Sequence, residues 1–117
     1  MLISLIETVT VPVADQDRAL GFYGGVLGFE TRTDNPFPTG RWLTVSPEGA
    51  GTTLLLASWF PEMGPVGGLV VAAPDLDPPA AWLRGNGVAI DGPSDQPWGR
   101  QLLFHDPYGN GFVAVQA

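Results

Sequence analysis

A single histidine, His105, precedes Asp106, and no other residue of the 117-residue chain offers an imidazole. A neighbouring His and Asp form a candidate acid/base unit, because imidazole titrates near neutrality and a carboxylate can orient it. The pair, however, ends the strand-like run "RQLLFH" and opens the turn "DPYGNG", where an aspartate serves as a turn cap. His105 therefore reads as a strand-end residue and Asp106 as the cap. Glu7, a lone carboxylate at the head of an alternating run, reads as a surface charge, and Tyr23 falls on the packing face of a helix. No serine sits in a nucleophile motif. No cysteine exists to supply a thiolate, a disulfide or a zinc ligand. "GGVLG" is a helix exit and not a phosphate loop, since no strand precedes it in the required order. No residue is assigned a catalytic role.

Charge narrows the partners. Twelve acidic residues stand against five arginines and no lysine, for a net charge of −7. Such a surface repels nucleic acid and anionic membranes and favours a neutral or cationic partner. "MLISLIETVTVPV" lacks a basic start and a small-residue cleavage site, and no apolar run reaches the length of a bilayer span. The expectation is a cytoplasmic protein with neither a nucleic-acid nor a membrane partner.

The elements that would position these residues are short. With 16 Gly and 12 Pro, the composition suits strands joined by tight turns, and the length suits one domain. "LIETVTVPV" alternates as a strand does, and Asp15 can cap a helix with Ala19, Leu20, Tyr23, Val26 and Leu27 on its apolar face, stopped by Gly28. "FETRTD" is a second strand, "NPFPTG" a loop, "RWLTVSP" a third strand and "TTLLLAS" a fourth. The Pro- and Gly-rich stretch 59–66 is a linker, after which the order repeats. "GLVVAAP" is strand, a helix follows with Asp77 as cap, Pro78 at its first position and Trp82 in the core, and "VAIDGP", "RQLLFHDP" and "FVAVQA" are strands. "GRWLTVSPEGAG" matches "GRQLLFHDPYGNG" with one insertion, Asp15 matches Asp75, Asp17 matches Asp77, and Gly28 matches Gly87. The chain is thus an α+β protein of two βαβββ modules, 1–58 and 67–117. Neither closes its own core, so the two should pair about a pseudo-twofold axis as curved mixed sheets around a cleft.

"PVADQDRALGFYGGVLGFE" and "HDPYGNGFVAVQ" resemble the vicinal oxygen chelate superfamily, the glyoxalase/bleomycin resistance/extradiol dioxygenase group. The resemblance covers the whole chain and implies the fold just described. It does not by itself imply a function, since this scaffold carries several chemistries. Metal-dependent members place ligands at four positions, which by the resemblance fall here on Thr8, Gly68, Thr53 and Val113. A divalent site needs three or more imidazole or carboxylate donors, and these four supply none. No metal and no cofactor is expected.

What remains is a cleft lined by hydroxyl, apolar and aromatic groups. Alternation puts Thr8 and Thr10 on one face, Thr53 with Leu55, and either Trp42 with Thr44 or Leu43 with Val45 inward, the first pair being favoured. The equivalents in the second module are Val70, Gln101, Leu103, Val113 and Val115. Trp59 and Phe60 lie in the linker, and Phe37 and Trp98 lie in the loops before each third strand. The expected ligand-binding set is Thr8, Thr10, Phe37, Trp42, Thr44, Thr53, Leu55, Trp59, Phe60, Trp98, Gln101, Leu103 and Val113. An aromatic wall with scattered hydroxyls suits a flat, partly apolar molecule. By resemblance to the metal-free, drug-sequestering branch, the expected function is metal-independent binding of an aromatic or cationic antibiotic or natural product, of the self-resistance type, in a cleft at a homodimer interface. The alternative is a glyoxalase-like lyase or isomerase, or another enzyme of the superfamily, with an atypical or absent metal site.

Overall fold

A computed structural model describes residues 2–117 and divides them into two compact units, one running through Gly64 and the other spanning Pro65–Ala117. The first unit contains β1 (Thr8–Pro12), α1 (Gln16–Leu20), a π-helical turn (Gly21–Val26), β2 (Glu30–Phe37), β3 (Gly40–Ser46) and β4 (Thr53–Ala57). The second contains β5 (Leu69–Ala73), α2 (Asp77–Gly85), β6 (Ile90–Gln96), β7 (Gly99–His105) and β8 (Gly111–Gln116). Each builds one four-stranded mixed sheet, in the orders β1-β4-β3-β2 and β5-β8-β7-β6. The first strand of each runs parallel to the fourth, and the remaining pairs are antiparallel hairpins. Such a parallel pair needs a long connection, which the helix and the intervening hairpin of each module supply.

One face of each sheet is aliphatic and closed. In the first unit Val11, Leu43, Val45 and Leu56 are fully buried, together with Ala19 and Tyr23 from the helical segment. In the second, Leu102, Phe104, Phe112 and Ala114 are buried with Leu76, Ala80 and Leu83 of the helical side. The rings of Phe104 and Phe112 stack at 4.9 Å. Each large side chain so buried contributes roughly 1.5–3 kcal/mol.

The repeat is visible in backbone geometry. Gly28 and Gly87 follow the two helices at φ of 73° and 77°, and Gly49 and Gly109 turn the last hairpins at 72° and 83°. These left-handed values suit a residue without Cβ. An ion pair recurs as well: Arg41 at the start of β3 meets Asp17, and Arg100 at the start of β7 meets Asp77 at 2.7 Å. Each ties the first turn of a helix to the sheet beneath it.

Five local readings are corrected. Strand β1 begins only at Thr8, leaving Leu2 to Glu7 outside any strand with Leu2, Ile3, Leu5 and Ile6 exposed. Strand β2 continues through Asn35, Pro36 and Phe37, so that "NPFPTG" is mostly strand. Proline is tolerated there because β2 is an edge and no ladder bond is lost. The first helix passes after one turn into a π-helical turn, where the Leu27 amide reaches back to Phe22 O at 3.0 Å. The glycines of "GFYGGV" favour neither α-helix nor strand, and this relaxes the constraint on helical pitch. Asp77 is the first residue of α2 and not its cap; the Asp77 amide is instead accepted by Asp75 Oδ1 at 2.9 Å. Finally, Trp82 is not core. It is 56% exposed, because the helix buries Ala80 and Leu83 and their immediate neighbour points away.

Candidate functional site

Strand register determines which side chains share the open face of the first sheet. Thr8 pairs with Thr53, Thr10 with Leu55, Leu55 with Thr44, Thr44 with Thr33, and Trp42 with Asn35. Directly opposed residues point to the same side, so all of these project from the face opposite Leu43 and Val45. Thr33 reaches the row because β2 carries a bulge between Thr31 and Thr33.

The hydroxyls bond in pairs. Thr8 Oγ1 and Thr53 Oγ1 lie 3.0 Å apart, and Thr33 Oγ1 and Thr44 Oγ1 lie 2.6 Å apart. Thr44 and Leu55 are closed to solvent and form the floor of the face, whereas Thr8, Thr10 and Thr53 are half-buried. Near Ser46, the Arg32 guanidinium donates to Ser46 Oγ at 3.1 Å and to Ala50 O at 2.8 Å, and stands 3.6 Å from Glu30.

At the opposite end of the strands the aromatic residues gather. Phe37 packs edge-on against Trp59 at 4.8 Å, Trp42 stacks on Trp59 at 6.3 Å with 27° between planes, and Phe60 tilts against Trp59 at 5.8 Å. Trp59 is the hub. Phe37, Trp42 and Phe60 are all partly exposed, at 36%, 46% and 44%. Gly40 permits the arrangement: a Cβ there would lie 3.0 Å from Trp59 Cε3 and 3.3 Å from Cζ3. Four aromatic rings beside a threonine floor make a surface that can take a flat molecule by stacking, with hydroxyls at its margin.

The second unit holds Gln101, Leu103 and Val113 on the face of its sheet opposite Leu102 and Phe104, with Gln101 paired to Val115, and Leu103 and Val70 each paired to Val113. Val70 is 66% exposed. Trp98 belongs to the turn before β7, is 69% exposed, and donates from Nε1 to Gln101 Oε1 at 3.0 Å. These residues form a patch of their own, apolar along the strands with one indole at its end.

Two site positions move. Phe37 is the last residue of β2 rather than a loop residue. In the second unit the register sets Val70, not Gly68, opposite Val113, whereas Thr8 opposes Thr53 in the first. The interval from the end of the first strand to the start of the helix is the same in both modules, Pro12 to Gln16 and Ala73 to Asp77; the offset changes instead in the last hairpin, where Thr44 pairs with Leu55 and its counterpart Leu103 pairs with Val113, so that Val113 answers to Leu55. Val70 is no better a ligand than Gly68, so the donor set stays empty of imidazole and carboxylate. Among the described residues, no three of His, Cys, Asp and Glu gather closely enough to hold an ion. His105 is exposed at the end of β7, and Asp106 is committed to its turn, accepting from the Tyr108 and Asn110 amides at 2.8 Å each and from Asn110 Nδ2 at 2.7 Å.

Three residues of the site escape the sequence reading. Thr33 was hidden by the bulge. Gly40 carried a faint signal, since "GR" opens the third strand of both modules. Gln16 carried none: a glutamine in a first helical turn is ordinarily solvated, yet here it is buried and bonded to two strands.

Electrostatics at the aromatic end centre on Arg41. Its guanidinium meets Asp34 at 2.9 Å and also Asp17, and hydrogen bonds to those two carboxylates raise its pKa. The hydrogen bond from Arg41, more than its bare charge, holds Asp34 below the usual carboxylate range against an opposing effect of desolvation. The charge of Arg41, between Gly40 and Trp42, is thus already neutralised.

Comparison with known proteins assigns the architecture. The family model described as the Glyoxalase/Bleomycin resistance protein/Dioxygenase superfamily matches residues 5–113. The crystal structure of TnmS3, an antibiotic binding protein from Streptomyces sp. CB03234, is similar with a TM-score of 0.92 and 45% identity, over 98% of this chain and 97% of that one. A glyoxalase/bleomycin resistance protein from the same source superposes with a TM-score of 0.83 and 46% identity, over 94% and 98% of the two chains. The Bacillus subtilis protein YetH is 32% identical over 96% of this chain and 98% of its own. With its two four-stranded mixed sheets, its repeated glycine turns and these relatives, the chain belongs to the glyoxalase/bleomycin resistance/dioxygenase superfamily.

Proposed function

We propose that this protein is a metal-independent binder that sequesters a flat aromatic antibiotic or natural product, neutral or cationic, without modifying it. The observation that carries the reading is the cluster of Phe37, Trp42 and Phe60 around Trp59, which offers partly exposed rings beside threonine hydroxyls. Stacking on such rings is tolerant of chemical detail and strong for planar guests. The net charge of −7 favours a neutral or cationic one. The likeness to TnmS3, an antibiotic binding protein, supports the same reading. By the resemblance, the four positions that carry ligands in metal-dependent relatives fall on Thr8, Gly68, Thr53 and Val113, none of which has an imidazole or carboxylate, and the two threonines are bonded to each other.

A homodimer is part of the proposal. Each sheet leaves two edge strands, and exposed Val70 adds apolar surface for a second copy to cover. A cytoplasmic location is likewise proposed; a chain without cysteine forms no disulfide and so does not depend on an oxidising compartment.

The test is a titration with proflavine, a flat cationic acridine, and with bleomycin, a glycopeptide antibiotic, read by tryptophan fluorescence, beside metal analysis of the purified protein. The proposal expects saturable quenching by at least one probe, unchanged mass of the recovered probe, and no stoichiometric metal. Stoichiometric zinc, iron, nickel or manganese, or conversion of a probe, would instead favour the lyase or isomerase.

A further inference from the structure

We infer that Gln16 is a positioning residue that sets the geometry of the aromatic cluster, an inference that rests on the binding role proposed above. Gln16 is the first residue of α1 and is 8% exposed. Its Nε2 donates to Arg41 O at 2.7 Å and to Leu56 O at 2.7 Å, and its Oε1 accepts from the Arg41 amide at 3.2 Å. One side-chain amide thus holds the backbone of two strands at once.

Those strands carry the site. Arg41 lies between Gly40, over which Trp59 packs, and Trp42, which stacks on Trp59. Leu56 lies on β4, whose next residues lead through Ala57 and Ser58 to Trp59. The paired register of β3 and β4 covers Thr44 with Leu55 and Val45 with Leu54. On the Arg41 side of that ladder, the Gln16 amide spans the two strands, so it sets their separation where the indoles are mounted. The same helical turn also grips Arg41 by its side chain, through Asp17. In the second unit Leu76 stands before Asp77, and there Gln116 of β8 accepts from the Leu76 amide at 3.1 Å and from Arg100 at 3.3 Å. The side-chain amide of the second unit thus comes from a strand and not from the helix, unlike that of Gln16. A buried group making three hydrogen bonds tolerates little displacement, because each lost partner leaves a desolvated donor or acceptor.

The experiment compares wild type with Gln16→Leu and Gln16→Glu. Gln16→Leu keeps the bulk and removes the amide. Gln16→Glu keeps the acceptor for the Arg41 amide but sets a carboxylate against two carbonyl oxygens. The first readout is made without ligand: the circular-dichroism couplet of the Trp42–Trp59 stack, identified as the signal lost in Trp42→Phe. The second is the proflavine Kd at a temperature well below the melting point of each variant. Both Gln16 variants are expected to lose most of the couplet and to bind proflavine about tenfold more weakly, the effect of roughly one buried hydrogen bond left unmade. A residue of purely structural importance would lower the melting temperature and leave couplet and Kd intact in the folded protein, and that result overturns the inference. Should Gln16→Leu fail to fold, Gln16→Glu decides by the same two readouts. If wild type binds no probe, the binding role fails, whereas the couplet still decides the part played by Gln16.

Discussion

The indole of Trp42, on β3, stacks on that of Trp59, beyond β4, at 6.3 Å and 27°. Offset stacks of this kind contribute about 0.5–1.5 kcal/mol beyond their area, and each ring also offers a face to a guest. Trp59→Ala removes the hub of the cluster and Trp42→Ala removes one ring. We expect proflavine affinity to fall by about tenfold or more in Trp59→Ala and by severalfold in Trp42→Ala. Fluorescence titration of the two variants checks the order. Equal affinity in both and in wild type would detach the cluster from binding.

Gly40 owes its importance to the ring above it and not to its backbone angle. A methyl group there would sit 3.0 Å from Trp59 Cε3, closer than ordinary contact. Gly40→Ala is expected to displace the indole, shift the tryptophan emission maximum and weaken probe binding, with a stability change within about 1 kcal/mol because a tilted ring at a partly open site can yield. Emission spectra with a parallel thermal melt separate the two effects.

Asp34 ties stability to acid. Its carboxyl is held below its ordinary value, chiefly by the hydrogen bond from Arg41. A group whose folded pKa is depressed contributes stability that is complete above its unfolded value, about 3.9, and is lost as pH falls through the lower folded one. Asp34→Asn should therefore lower the melting temperature slightly near neutrality and converge with wild type as pH falls through the depressed folded value. The exposed position of the pair keeps the effect small. Melting curves from pH 2 to pH 7 test the convergence, and parallel curves across that range would refute it.

The last hairpin of the second unit depends on buried polar groups. Asp106 and Asn110 are 5% and 0% exposed, Asp106 accepts from the turn amides, and Asn110 Oδ1 accepts from the Val66 amide at 3.0 Å. Asn110→Ala leaves the Val66 amide without its acceptor and removes one donor from Asp106 Oδ2, with an expected loss of about 1–3 kcal/mol. Denaturant unfolding measures it, and probe binding should change little at temperatures where the variant is folded.

Much of the fold was legible because it rests on local rules. Alternation in "TVTVP", the apolar run in "TLLLA", the helix stops at Gly28 and Gly87, and the matched hairpins at Gly49 and Gly109 are short-range consequences of side-chain pattern and backbone sterics. Where local rules conflicted with position, the sequence misled. Pro36 reads as a loop residue anywhere but on a sheet edge, and Trp82 reads as core unless the helix is known to bury only Ala80 and Leu83.

The amino-acid sequence by itself determined the two-module order and the presence of aromatic residues near strand ends. It could not determine that Trp59 would meet Phe37 and Trp42, or that Gln16 would bond β3 and β4 together, because those contacts join residues far apart in the chain. Which distant side chains meet depends on strand register, on a single bulge and on the room left by one glycine. These are properties of the packed sheet, where a shift of one residue turns every side chain to the other face.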